Sequence, residues 1–127
     1  MPVLTAYLNN AIDTTVAQMQ AALYGTPTLV AGDATINANQ SQIYILNKGS
    51  AAAITLGAPT VTTSDGVTIT ITSNSAFAHV ITATGLFQSG AAGVNTCTFA
   101  AHAGATVTLY AYQGKWNWIA SVAATAG

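Results

Sequence analysis

Arginine and glutamate are absent from this 127-residue chain, and charge rests on five residues: Asp13, Asp33, Lys48, Asp65 and Lys115. Charged residues make up 4% of the total, against roughly 25% in ordinary globular domains. The formal net charge is −1. No basic patch is available to neutralise a phosphate backbone, so nucleic acid is not an expected partner. Disordered chains combine low hydrophobicity with high net charge, and this one has neither. A nearly uncharged surface has poor colloidal stability unless partners cover it or hydroxyls and amides wet it. The many Thr, Ser, Asn and Gln residues suit wetting. The many Ala residues suit close approach of another surface.

Other scarcities narrow the chemistry. Cys97 is the single cysteine, which excludes an internal disulfide. In the alternating run "VNTCTFA" it reads as a small core hydrophobe. His79 and His102 are the two histidines, and with three scattered Asp and one Cys they lack the close His pair and the three or four ligands of a zinc site. Glycoside hydrolysis would need a carboxylate pair drawn from Asp13, Asp33 and Asp65. No GxSxG elbow and no phosphate-cradling glycine motif is present. A spatial Ser-His-Asp set is not decided by counting. Catalytic, cofactor-binding and metal-binding residues are therefore none in expectation. No apolar run reaches the roughly 18 residues of a membrane helix. The opening "MPVLTAYLNN" lacks the basic start and apolar block of a secretory signal. Synthesis in a cytosol follows, without export by an N-terminal signal and without a membrane partner. Virion proteins meet these conditions, because they leave by lysis.

A fixed repeat is also missing. Thr-x-Thr pieces recur at 60–62, 68–70, 70–72, 82–84, 96–98 and 106–108 without constant spacing. Solenoids need a period, so that architecture is set aside. Ice-binding β proteins with Thr arrays resemble strict-repeat solenoids and go with it.

What is present falls into two parts, an N-terminal helix or arm over 1–26 and a β-domain over 27–127. Leu4, Leu8, Ile12, Val16, Met19 and Leu23 recur at helical spacing and paint one apolar stripe. Gly25 and Pro27 supply a stop. The stripe either covers the β-domain or docks on a neighbouring subunit. Beyond Gly25 the spacing predicts strands at 28–31, 34–37, 42–47, 52–56, 59–63, 67–73, 78–84, 94–100, 105–112 and 116–122. Val67, Ile69 and Ile71 alternate with Thr68, Thr70 and Thr72, the pattern of a half-buried strand. "SDG" at 64–66 and "QG" at 113–114 are turn signals, the second joining two hairpin strands. "GLFQSGAAG" at 85–93 reads as a Gly-rich loop. Many short strands with frequent turns imply a mainly β fold, a sandwich or jelly roll. Tyr110, Tyr112, Trp116 and Trp118 cluster on the last hairpin. They read as core or interface anchors ahead of a sugar-stacking platform. Lys115 is expected to carry its charge into solvent beside the turn.

The C-terminal half, with "DGVTITITSN", "HVITATG" and "GATVTLYAYQGKW", resembles small β modules of tailed-phage virions. These include capsid decoration (cement) proteins and parts of tail fibres and tailspikes. The resemblance is one of strands and turns. It implies a structural, non-enzymatic protein without cofactor, assembled as a homotrimer on the outer capsid surface and made in the bacterial host cytoplasm. Its implied partners are copies of itself and the major capsid protein. The short chain and an N-terminal arm favour decoration. A receptor-binding tail module is the alternative, for which the 85–93 loop and terminal aromatics would serve. Leu4, Leu8, Ile12, Met19, Trp116 and Trp118 are the expected subunit or capsid contacts.

Overall fold

A computed structural model of the protein describes residues 27–127. The helix expected over 4–24, with Leu4, Leu8, Ile12 and Met19, lies outside the described residues. Within them the chain is mainly β. The eleven strands are β1 (Thr28–Val30), β2 (Ala34–Ile36), β3 (Gln42–Leu46), β4 (Ala53–Leu56), β5 (Thr68–Ser73), β6 (Val80–Thr82), β7 (Phe87–Gln88), β8 (Thr96–Phe99), β9 (Thr106–Tyr112), β10 (Lys115–Val122) and β11 (Ala124–Ala126). They form two mixed sheets. Sheet A has the order β1-β3-β5-β9-β10-β7 and sheet B the order β11-β8-β6-β4-β2.

The first six strands alternate between the sheets. β1, β3 and β5 are parallel neighbours in sheet A, and β2, β4 and β6 are parallel neighbours in sheet B. Parallel strands need a crossover connection. Here each crossover is itself a strand of the opposite sheet, so this half of the chain is wound as an irregular coil. Thr28 pairs with Tyr44 and Tyr44 with Ile71, which are 16 and 27 residues apart. Unequal loops hide this winding from any search for a sequence period. A jelly roll is antiparallel throughout. In this chain β5–β9, β9–β10, β6–β8 and β8–β11 are antiparallel, while the other pairings are parallel.

One hydrophobic cluster draws on the inner faces of both sheets. Ile69, Ile71, Val107, Leu109 and Trp116 come from sheet A, and Ile54, Leu56, Ile81, Cys97 and Phe99 from sheet B. Each fully buried Ile, Leu or Phe contributes roughly 1.5–3 kcal/mol. The clean alternation along β5 and β9 follows from the pleat, which sends successive side chains to opposite faces.

Two connections show how local chemistry steers the chain. Gln113 and Gly114, at φ 48° and 76°, form the two-residue loop between β9 and β10. Positive φ at both positions is the type I′ hairpin requirement. Asp65 locks that loop by accepting from the Gln113 backbone N–H at 2.8 Å and from its Nε2 at 2.6 Å. Ala123, at φ 52°, passes the chain from β10 in sheet A to β11 in sheet B. The strand expected at 59–63 is a turn instead. Thr62 adopts φ 67°, and Ser64 N–H donates to Thr60 O at 3.0 Å. Thr and Val alternate there, but no neighbouring strand pairs with them. β7 and β11 were not expected. β7 is two residues inside the 85–93 loop, and β11 is an Ala-Thr-Ala segment with no apolar alternation to mark it.

Candidate functional site: the outer sheet faces

Strand register sets out the outer face of sheet A in rows. One row runs Leu29–Ile45–Thr72–Thr106–Val122, and the next runs Ile43–Thr70–Thr108–Ala120. Thr72 and Thr106 hydroxyls hydrogen-bond at 2.8 Å, and those of Thr70 and Thr108 at 3.2 Å. A third row places Thr68, Tyr110, Asn117 and Gln88 side by side. Leu29 is 62% exposed, Val122 65% and Tyr112 58%. The register between β9 and β10 shifts between Trp118 and Ala120, and Ile119 at this irregularity is exposed. One end of the face is thus aliphatic and the other carries tyrosines and amides.

The outer face of sheet B is different. Thr35, Thr55, Thr82 and Thr96 fall in one row across four strands, with Ala53, Val80 and Thr98 beside them. Strand spacing of roughly 4.8 Å sets the interval between those side chains. Their sequence intervals are unequal, so only pairing aligns them. The row offers hydroxyls and methyls without charge.

Charge is tied up within the chain. Asp33 Oδ1 accepts from Lys48 Nζ at 2.8 Å and from the Ala53 N–H at 2.9 Å. The Lys48 hydrogen bond, with the Ala53 N–H second, holds the Asp33 carboxyl below the usual carboxylate range. Asp65 holds Gln113 as described. Lys115, expected to project into solvent, donates to the Gly85 carbonyl at 2.6 Å. Each charged side chain of the described residues is therefore engaged with a neighbour.

The aromatic cluster splits. Trp116 is fully buried and its Nε1 donates to Gly57 O at 2.8 Å. Trp118 is partly buried and packs edge-on against Phe87, centroids 5.7 Å apart. Tyr110 and Tyr112 point outward. Trp116 is thus an anchor of the hydrophobic core between the two sheets. Among the described residues, buried side-chain atoms without a hydrogen-bond partner include Ser89 Oγ, Asn117 Nδ2 and Trp118 Nε1, all on or beside β7 and β10.

His79 gained a neighbour that sequence reading missed. Its ring is fully buried. Nδ1 accepts from the Ala52 backbone N–H at 2.9 Å, and Nε2 lies 2.9 Å from Ser75 Oγ, which donates to Lys48 O at 2.9 Å. A backbone N–H can only donate, so Nδ1 carries the lone pair and Nε2 the hydrogen. A general base for Ser75 would need its lone pair on Nε2. The pair therefore ties the 48–52 and 75–79 loops together and does not form a nucleophile with its base. Burial first, and the Lys48 charge second, hold the His79 pKa below its ordinary value. The spacing of Ser75 and His79 was the available signal, but one such pair has no specificity. His102 is exposed in its turn. Cys97 is buried in β8, as its alternating run implied, and burial pushes its thiol up to about 12. Among the described residues no group of three or more His, Cys, Asp or Glu side chains is placed to hold a metal ion.

No known family model matches the chain, and no curated protein matches its sequence.

Proposed function

We propose that this chain is a structural virion protein of the capsid-decoration kind. It acts without catalysis or cofactor, assembles as a homotrimer on the outside of a phage head, and stabilises the shell by binding the major capsid protein. The observation that carries the reading is the commitment of Asp33, Lys48, Asp65 and Lys115 to contacts inside the chain. Beside these paired charges the outward side chains include the Thr rows, Tyr110 and Tyr112, and the apolar Leu29, Phe77, Ile119 and Val122. Such a surface costs little to desolvate against protein, because burying an unpaired charge is the expensive step. The uncharged Thr35–Thr55–Thr82–Thr96 row suits contact between copies or with a capsomer. Repeated modest contacts become strong together on a lattice. Two sheets closing over one core support a sandwich-like body, and the resemblance of the last hairpin to virion β modules supports the setting. The protein is made in the host cytoplasm and resides on the outer capsid surface.

A second reading, a receptor-binding module of a tail fibre or tailspike, is favoured by Tyr110 and Tyr112. They stand exposed beside Asn117 and Gln88 at one end of sheet A. Exposed aromatic faces flanked by amides suit a ligand with one apolar and one polar side.

Co-sedimentation with expanded, undecorated heads separates the two, with isolated tails and host cells run alongside and light scattering giving the free mass. Decoration requires saturable binding to heads in multiples of three. Binding to cells or tails, with none to heads, overturns it in favour of the second reading.

A further inference from the structure

We infer that the tyrosine end of the outer face of sheet A is a binding site for a neutral saccharide. Its location is that of the receptor-binding reading, on which it rests; the chemistry of the ligand is the new element. How the chain meets a phage head does not enter.

Strand register builds the platform. Tyr110 stands opposite Thr68 of β5 on one side and Asn117 of β10 on the other, and Asn117 stands opposite Gln88 of β7. Tyr112 is two residues further along β9, so the pleat sends it to the same face. Both tyrosines are exposed, while Ala111 between them is buried. Two residues of strand cover about 7 Å, an interval that a disaccharide spans. A sugar ring has C–H groups on its face and hydroxyls on its rim. The phenol rings suit the first, being apolar with an electron-rich face. The amides of Asn117 and Gln88 and the Thr68 hydroxyl suit the second, since they donate and accept hydrogen bonds as a sugar hydroxyl does.

One polar atom of the platform has no partner. Asn117 Nδ2 is shielded from solvent and makes no hydrogen bond. A shielded donor without an acceptor is costly. The last torsion of Asn is broad, so the amide can turn to a ligand oxygen while the strand stays in place.

Charge selects among ligands. Lys115 is level with Tyr112, and its Nζ donates to Gly85 O at 2.6 Å. Asp65 is committed to Gln113. A charged ligand would lose hydration without a free counter-charge to replace it. A protein partner needs a broader surface, about 800 Å² on each side. The aliphatic Leu29 and Val122 do not extend the tyrosines, because the Thr70–Thr108 row lies between.

The platform is also held in place. Asp65 fixes the hairpin loop beside Tyr112, and Trp116, between Lys115 and Asn117, is buried with its Nε1 on Gly57 O. Groups already in position lose little freedom on binding, which suits a ligand that makes few contacts.

The full chain is tested on an array of neutral oligosaccharides of glucose, galactose, mannose and N-acetylglucosamine, with uronic-acid oligosaccharides as the charged comparison. Saturable binding to a neutral oligosaccharide is expected. Tyr112→Ala should weaken it about tenfold or more, as loss of an aromatic anchor does. Tyr112→Phe keeps the ring and should stay within about threefold. Leu29→Ala, on the far row, should change nothing. Tyr112 and Leu29 are both exposed, so the variants should keep the parent's thermal melting. Binding to no neutral sugar, binding to the acidic sugars alone, or binding that Tyr112→Ala leaves unchanged would overturn the inference. Host cells separate it from the reading on which it rests. Cells treated with periodate, which cleaves vicinal diols of sugars, should no longer bind the protein. Tyr112-dependent binding that persists after periodate would keep the receptor reading and overturn the saccharide in favour of a protein surface. Tyr112-dependent sugar binding without binding to cells would uphold the site and remove the receptor reading.

Discussion

Consider His79→Leu, which keeps an apolar side chain in a fully buried site and removes both ring nitrogens. Ser75 Oγ retains its bond to Lys48 O, so little is lost there. The Ala52 N–H, which donates to Nδ1 at 2.9 Å, is left without its acceptor. A buried donor in that state costs roughly 1–3 kcal/mol. The variant should therefore be less stable than the parent by about that amount at about pH 8. The pH dependence carries the sharper test. Burial first, and the Lys48 charge second, depress the folded pKa of His79 below the ordinary value that the unfolded chain retains. The unfolded chain takes up a proton as pH falls through that value, while the folded chain resists it. Stability from the neutral ring is full above the unfolded pKa. It declines as pH falls through the window below, by at most about 1.4 kcal/mol per pH unit. His79→Leu lacks this loss, and the other titrating groups are common to both proteins. Urea unfolding followed by tryptophan fluorescence, at intervals from about pH 8 to about pH 5, measures the gap. The gap should shrink toward acid. A constant or widening gap would refute the buried neutral ring.

The two tryptophans should respond unequally. Trp116→Ala should cost roughly 3–5 kcal/mol, and Trp116→Phe a smaller amount that includes the lost bond to Gly57 O. Trp118→Phe should cost less than Trp116→Phe, since its Nε1 has no partner to lose; equal losses in chemical denaturation would contradict the placement of the rings. At Ala123 the left-handed backbone makes Ala123→Gly neutral or stabilising by up to about 1 kcal/mol, whereas Ala123→Val should be clearly destabilising. A stable Val variant by thermal melting would show that the corner is not left-handed. Head binding, if the decoration reading holds, should survive a change from about 0.1 to about 1 M salt. Release by salt alone would mean that charges outside the described contacts carry the interaction.

Much of the local structure was readable. Thr68–Ser73 and Thr106–Tyr112 declare themselves as half-buried strands by alternation, and Gln113-Gly114 declares a hairpin turn. The same rule misled at 59–63, because alternation describes a strand only where a neighbouring strand accepts its hydrogen bonds. Trp116 and Tyr112 were read as one aromatic group. They lie four residues apart across a tight turn, and cross-strand pairing aligns Trp116 with buried Ala111 and Tyr112 with Lys115. That places the indole in the core and the phenol outside. The Ser75–His79 pair, too, depends on the Ala52 N–H reaching Nδ1 from a loop 27 residues earlier.

The sequence by itself determined the low charge, the two-residue period of β5 and β9 and the hairpin turn at Gln113-Gly114, because each depends on side-chain type or on backbone geometry within a few residues. Tertiary structure decided which strands are neighbours. Thr35, Thr55, Thr82 and Thr96 stand at uneven intervals along the chain and fall into one row because β2, β4, β6 and β8 pair in that register. Loops of any length can deliver a strand to its place, at an entropic cost that grows only slowly with length. Spacing along the chain therefore carries little record of a coil that closes through space.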